Sequence, residues 1–296
     1  MKKIVPHLWY DKEALEAAQW YVSLFENSKI LNVITLPDTP SGDAELVDFQ
    51  LADLKFSAIS AGPYFKFNPS ISLMVACSSI EEVDRLYNSL STDGTELMPL
   101  GEYPFSKRYA WIQDKYGLSW QLMFTETAEG IQRIRPSLLF SDNVCGRAEE
   151  AINFYTSVFQ DSKKGFVNHY QAGEAMDPRA RINYGEVNLL GNQFIAMDHA
   201  LGGDSIFNEA FSLMILCENQ DEIDYYWNKL SFVPEAEQCG WLKDKFGLSW
   251  QIVPKNMNDI YMNGTKEEVR RVTEAFLKMK KFDLETLEKA RKGDGQ

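Results

Sequence analysis

The chain has 296 residues, 45% hydrophobic and 25% charged, the balance of a globular protein with room for about two domains. With 43 acidic against 30 basic residues the net charge is −13, which repels phosphate backbones and argues against a nucleic-acid partner. No apolar run is long enough to cross a bilayer, and the start Met1-Lys-Lys-Ile-Val-Pro has no apolar core of a signal peptide, so a cytoplasmic protein with no membrane partner is expected.

In chain order, Lys3 to Tyr10 reads as a strand. Leu15, Ala18, Tyr21, Val22 and Phe25 then recur at helical spacing, which predicts an amphipathic helix over Ala14 to Phe25. Ile30 to Leu36 is rich in β-branched residues and reads as extended, and Pro37-Asp-Thr-Pro-Ser-Gly42 has the turn chemistry of a loop. Leu46 to Leu51 and Lys55 to Ser60 form a hairpin pair. The pattern restarts with a strand over Ile71 to Cys77 and a helix marked by Ile80, Val83, Leu86 and Leu90, and further strands end at Leu118 to Phe124. The order is βαβββ, repeated.

The whole arrangement then returns. Trp111-Ile-Gln-Asp-Lys-Tyr-Gly-Leu-Ser-Trp120-Gln121 is echoed 130 residues on by Trp241-Leu-Lys-Asp-Lys-Phe-Gly-Leu-Ser-Trp250-Gln251. Phe67-Asn with Ser-Leu-Met74 and Cys77 is echoed by Phe207-Asn with Ser-Leu-Met214 and Cys217, and Ala14 to Phe25 by Ala148 to Phe159. A repeat of this length is a domain-sized unit, too long for a solenoid. Copy two is ten residues shorter between its second helix, Glu222 to Leu230, and Trp241, where copy one has a hairpin around Gly101 to Arg108. The expected boundaries are 1–126 for the first module, 131–256 for the second and 257–296 for a C-terminal helical extension. In the extension, Thr265-Lys-Glu-Glu268 is a capping box, Val269, Val272, Phe276 and Met279 form one apolar stripe, and Asp283 to Lys292 reads as another helix. None of the four cysteines forms a Cys-x-x-Cys pair, and Cys77 and Cys217, which match in the two copies, read as buried small hydrophobes in a reducing compartment.

The double βαβββ pattern, Trp20-Tyr21 and Phe154-Tyr155 late in the first helices, and the Asp-Lys-[Tyr/Phe]-Gly-Leu-Ser-Trp-Gln endings resemble the vicinal oxygen chelate superfamily of glyoxalases, bleomycin-resistance proteins and extradiol dioxygenases. Within it the chain is similar to the PhnB-like branch, often labelled 3-demethylubiquinone-9 3-methyltransferase domain. The resemblance implies an α+β fold of tandem modules, each of two βαβββ units whose mixed sheets curl into a cup, with helices on the outer face. A self-contained pseudo-dimer of modules is the first expectation, a homodimer the alternative.

Comparison of the copies separates the two faces of the first strand. Pro6, Leu8 and Tyr10 stay apolar as Pro136, Leu138 and Phe140, as a helix-covered face would, whereas Val5, His7 and Trp9 become Arg135, Ser137 and Leu139 and are assigned to the cup. The resemblance turns Gln121 and Gln251 of the last strands, with Ser119 and Ser249, to the same side. Metal-binding members take His or Glu ligands from the first, fifth and last strands. Here the last-strand positions are the amides Gln121 and Gln251, the fifth-strand positions fall near Ile71 or Ser72 and near Phe211 or Ser212, and His7 is the one candidate ligand, with Ser137 in copy two. No cofactor is therefore expected, with a divalent metal as the alternative. His169 reads as exposed in an irregular region, and Asp198-His199 as a strand-end polar pair, or as a general base pair.

Three functional readings stand. One is a protein that binds a small, partly aromatic or hydrophobic molecule, with Trp9, Tyr64, Phe65, Phe67, Tyr103, Phe105 and Trp111 around the first cup. The ligand-binding candidates are His7, Trp9, Phe65, Phe67, Ser119, Gln121, Ser137, Ser249 and Gln251, and catalytic residues are left unassigned. A second is a metal-dependent lyase, isomerase or dioxygenase using His7 and Gln121. In a third, compatible with either, one copy works and copy two, lacking the hairpin and the first-strand His, is scaffold. The methyl transfer in the branch's label ranks below these, because no Gly-x-Gly-x-Gly or Gly-x-Gly-x-x-Gly loop occurs to hold a nucleotide cofactor.

Overall fold

The computed structural model describes residues 2–39, 42–127 and 129–294. Copy one runs β1 (Ile4–Tyr10), α1 (Ala14–Leu24), β2 (Lys29–Thr39), β3 (Gly42–Leu51), β4 (Leu54–Ser60), then β5 (Ile71–Cys77), α2 (Ile80–Leu90), β6 (Thr95–Tyr103), β7 (Ser106–Gln113) and β8 (Ser119–Phe124). Copy two runs β9 (Ile134–Phe140), α3 (Ala148–Val158), β10 (Lys163–His169), β11 (Ile182–Leu189), β12 (Asn192–Asp198), then β13 (Phe211–Cys217), α4 (Gln220–Leu230), β14 (Trp241–Lys243) and β15 (Ser249–Pro254). The tail forms α5 (Met257–Asn263), α6 (Lys266–Phe276) and α7 (Leu284–Lys292).

The strands make two mixed sheets, in the orders β14-β15-β13-β1-β4-β3-β2 and β10-β11-β12-β9-β5-β8-β7-β6. Each sheet therefore joins half of one copy to half of the other. The seams are antiparallel: β1 lies against β13 with His7 opposite Ser212, and β5 against β9 with Ser72 opposite Ser137. The two modules pair within the chain by exchanging halves. A cup is thus never the property of one copy, and the notion of a working copy beside a scaffold copy does not describe this architecture.

Alternation in the strands places one continuous core between sheets and helices. From β1 it takes Ile4, Leu8 and Tyr10, and from β9 Ile134, Leu138 and Phe140. Helix α1 buries Ala14, Ala17, Ala18 and Tyr21, and small residues on that face let it lie close to the sheet. Helix α2 starts at Ser79, whose side chain accepts from the Glu82 N–H, and α4 starts at Asn219 in the same way. The Thr265–Glu268 capping box is formed and opens α6.

Three expectations are corrected. The loop expected over Pro37 to Gly42 is largely strand, since β2 continues to Thr39 and β3 begins at Gly42 (Pro40 and Ser41 lie outside the described residues). The last unit of copy two has one strand fewer than βαβββ, a short 3-10 turn at Pro234–Ala236 standing where copy one has β6. His169 closes the regular strand β10, its exposed ring 2.9 Å from the Glu149 carboxylate.

Candidate functional site

The most conspicuous motif turns out to hold the fold together. Asp114 is buried at the turn before β8, and its carboxylate accepts from the Tyr21 hydroxyl at 2.7 Å, the Trp120 indole at 2.8 Å and the backbone N–H groups of Tyr116 and Leu118. Asp244 repeats this with Tyr155 at 2.6 Å, Trp250 at 2.9 Å, Phe246 and Leu248. Gly117 and Gly247 take φ of +83° and +82° to close the two turns, a conformation that favours glycine. Each Asp-Lys-[Tyr/Phe]-Gly-Leu-Ser-Trp segment thus ties the first helix of a copy to the last strand of that copy, on the face away from the cups. Burial raises Asp114 to about 6 against the pull of these hydrogen bonds, and raises Asp244 as well. Asp198 has a similar part. Its carboxylate accepts from the backbone of Gly146, Ala148, Arg181 and Ile182, so it is committed to the chain and is no base partner for His199.

On the cup face of the first sheet, His7 faces Ser57 on one neighbouring strand and Ser212 on the other. Its Nδ1 lies 3.5 Å from Ser212 Oγ, which accepts from the Gln251 amide at 2.9 Å. Burial lowers the His7 pKa from 6.5 to about 3, so the imidazole is neutral at ordinary pH. Its ring stands edge-on to Trp241, 5.5 Å between centroids, and Trp241 in turn stands 6.2 Å from Trp9.

The second sheet repeats the floor. The Gln121 amide donates to Ser72 Oγ at 2.7 Å, and Ser137 lies opposite Ser72, buried and without a side-chain hydrogen-bond partner among the described residues. Here the hairpin of β6 and β7 covers the floor, with Tyr109 buried on it. Tyr109 donates its hydroxyl to Gln121 Oε1 at 2.7 Å, Tyr103 and Phe105 pack on Tyr109, and the Trp111 indole donates to Ser119 Oγ at 2.7 Å. Arg135 is buried on the same face and pairs with Glu186 and Tyr184.

The first sheet lacks this cover. Its shortened last unit places Cys239 where copy one has Tyr109, two residues before the matching Trp. Ser249, the match of Ser119, is buried without a partner, and Trp241 turns toward His7 and Trp9. The result is a cavity of about 550 Å³. Trp9, Tyr64, Phe65 and Trp241 supply its rings, Ile59 and Leu36 aliphatic wall, and the half-buried pair Lys243–Glu209, 3.0 Å apart, charge. Trp9 is held by its indole N–H, which donates to the Gly62 carbonyl at 2.8 Å. Phe276 and Leu277 from the end of α6 complete the wall.

The residues expected to meet a ligand are therefore dispersed. Trp9, Phe65 and Ser249 line the cavity, with Tyr64 beside them. His7 and Gln251 belong to the same sheet but are buried in its floor, 3% and 6% exposed, and are not part of the cavity wall. Ser119, Gln121 and Ser137 belong to the second sheet, as do Tyr103, Phe105 and Trp111. Phe67 packs on Tyr10 toward the core. His7 and Gln121 stand on different sheets; the glutamine that shares a floor with His7 is Gln251. Trp241, Lys243, Phe276 and Leu277 were missed because their approach depends on the exchanged sheets and on the docked tail.

A divalent ion does not suit this floor. His7, Ser57, Ser212 and Gln251 offer one imidazole and otherwise neutral oxygen or amide groups. Among the described residues no three His, Cys, Asp or Glu side chains converge so as to hold a metal.

Two mixed sheets, each built from paired βαβββ units (one of the four short by a strand) with helices outside and a cup inside, define the paired glyoxalase class of fold. Glyoxalase I from Zea mays shares it at TM-score 0.54 with 11% identity, over 88% of this chain and 97% of that one. The chain belongs to the family described as 3-demethylubiquinone-9 3-methyltransferase, whose model matches residues 2–123 and again 132–253. A PhnB protein from Bacillus cereus is 38% identical over 42% of this chain and 99% of its own, with a TM-score of 0.39. No curated protein matches.

Proposed function

We propose that the protein binds a small, partly aromatic or hydrophobic molecule in the cavity of the first sheet. The observation that carries this reading is the contrast between two equivalent cups. In one the hairpin covers the floor, with Tyr109 bonded to Gln121, and in the other the floor opens to a cavity beneath Trp9, Tyr64, Phe65 and Trp241. Ligand pockets commonly have this size and this mixture of rings with a few polar groups. Binding without reaction agrees with a neutral, buried His7 and a floor poor in metal donors. Methyl transfer is named in the family's description. It forms no part of this proposal, since the sequence has no glycine-rich loop of the kind that holds a nucleotide.

The test is titration of the purified protein with neutral fluorescent aromatic compounds, followed by mass spectrometry of the recovered compound. Saturable binding, loss of affinity in Trp9→Ala and an unaltered compound are expected. Absence of saturable binding, or equal binding by Trp9→Ala, would overturn the proposal; turnover of the compound would replace it with an enzymatic reading.

A further inference from the structure

The tail is tied to the place where the hairpin of copy two is missing. Beyond α6 the chain runs against the entry to β14: the Cys239 N–H donates to the Met279 carbonyl at 2.8 Å, and the Gly240 N–H to the Lys280 carbonyl at 2.7 Å. Phe282 sits so close to Gly240 that a Cβ there would meet its ring at 2.6 Å. Gln220 fixes the next turn, its amide donating to the Phe282 carbonyl and its Oε1 accepting from the Leu284 N–H. At the other end, α5 and α6 pack on β2, the Asn258 amide reaches Asp48 at 2.5 Å, and Tyr261 packs against the apolar group that contains Leu36 and Ala44. Between these anchors Phe276 and Leu277 face the cavity.

Resting on the reading that this cavity binds a ligand, we infer that α6 replaces the missing hairpin as a fixed wall and that Phe276 sets the size of molecule admitted. In the second sheet the floor is covered from within the repeat, by Tyr109 with Tyr103 packed on it. In the first the covering has passed to a segment outside the duplication. Phe276 is 8% exposed, its ring wedged between Phe282 and the cavity, so shortening it adds volume to the cavity while the anchors on either side remain. The ligand class that follows is a flat apolar molecule bounded at one end by an aromatic ring of the tail.

The experiment uses the full chain and two neutral probes, 1-aminoanthracene and the larger Nile red. Phe276→Ala is expected to shift the ratio of affinities toward Nile red by at least about fivefold, and Phe276→Trp to shift it the other way, in line with the worth of small volume changes in apolar pockets. Phe105→Ala, at the exposed end of the hairpin in the second sheet, is expected to leave the ratio unchanged. Thermal unfolding shows which variants are folded, and Leu277→Ala stands in should Phe276→Ala fail to fold. If the parent chain binds both probes and no tail variant moves the ratio, the assignment of α6 is wrong. If the parent chain binds neither, the cavity is not a binding site, and the assignment falls with that reading.

Discussion

The Tyr109 hydroxyl donates to the side-chain Oε1 of Gln121 at 2.7 Å, and copy two has no counterpart of this bond because Cys239 stands where Tyr109 would. A ten-residue difference between repeats thus accompanies one floor covered by Tyr109 and another left open to a cavity. It follows that Trp241→Ala weakens binding of 1-aminoanthracene, while Trp111→Ala on the second sheet leaves it unchanged. Equal effects in parallel titrations would show that the two cups are not distinguished in this way.

Asp244 satisfies four buried donors, two from side chains and two from backbone. Asp244→Ala leaves them without an acceptor, at roughly 1–3 kcal/mol for each group that water cannot reach, so a loss of about 3 kcal/mol or more is expected in urea unfolding. Asp114→Ala should cost a similar amount. A change below about 1 kcal/mol in both would refute the role given to the motif.

His7 ties stability to acid. Its folded pKa of about 3 lies below the 6.5 of the unfolded chain, so on acidification the unfolded state takes up the proton first. This contribution is fully present above pH 6.5 and is lost as pH falls toward 3, at about 1.4 kcal/mol per pH unit. His7→Gln cannot titrate. Its urea midpoint should fall less steeply than that of the parent between pH 6.5 and 4, and parallel slopes would contradict the burial of a neutral imidazole.

Gly240→Ala tests the anchoring of the tail. Its φ of +83° disfavours a side chain, and the added methyl would also press on Phe282 and the Ile252 carbonyl. A cost of roughly 2 kcal/mol is expected. Faster amide exchange should be confined to α6 and α7, and exchange that quickens evenly over both sheets would show the tail to be no separate element.

The floor of the first cup also predicts indifference to chelators. Overnight treatment with EDTA should change neither the thermal midpoint nor probe binding. Near-stoichiometric zinc, nickel, manganese or iron in untreated protein, released by His7→Ala, would reverse the judgement on its donors.

Much of this fold was legible in the residues. Internal comparison separated Pro6, Leu8 and Tyr10 from Val5, His7 and Trp9 without any structure, because the side chains facing helices must keep their shape while those facing the cup may drift. The helices α1 to α4 were legible from their apolar stripes and α6 from its capping box, whereas α5 over Met257–Asn263 was not anticipated. The exchange of halves was not. Antiparallel seams such as Ile4 opposite Ile215 and Val75 opposite Ile134 join strands so alike in apolar content that either partner would satisfy the pattern. The strand over Pro37 to Thr39 was hidden by prolines and polar residues that an edge strand tolerates. The cavity wall was hidden for another reason. Phe276 lies on a stripe that periodicity identifies as buried, but periodicity does not say against what.

The seams between β1 and β13 and between β5 and β9 also decide how the molecule comes apart. Cutting the linker between the repeats would not release two finished bodies, since each fragment would carry two half-sheets with unpaired borders. Two such fragments made as separate polypeptides would have to find each other, or a twin, before either could bury its seam. Covalent linkage makes that meeting intramolecular, and it lets the two cups diverge while both seams stay paired.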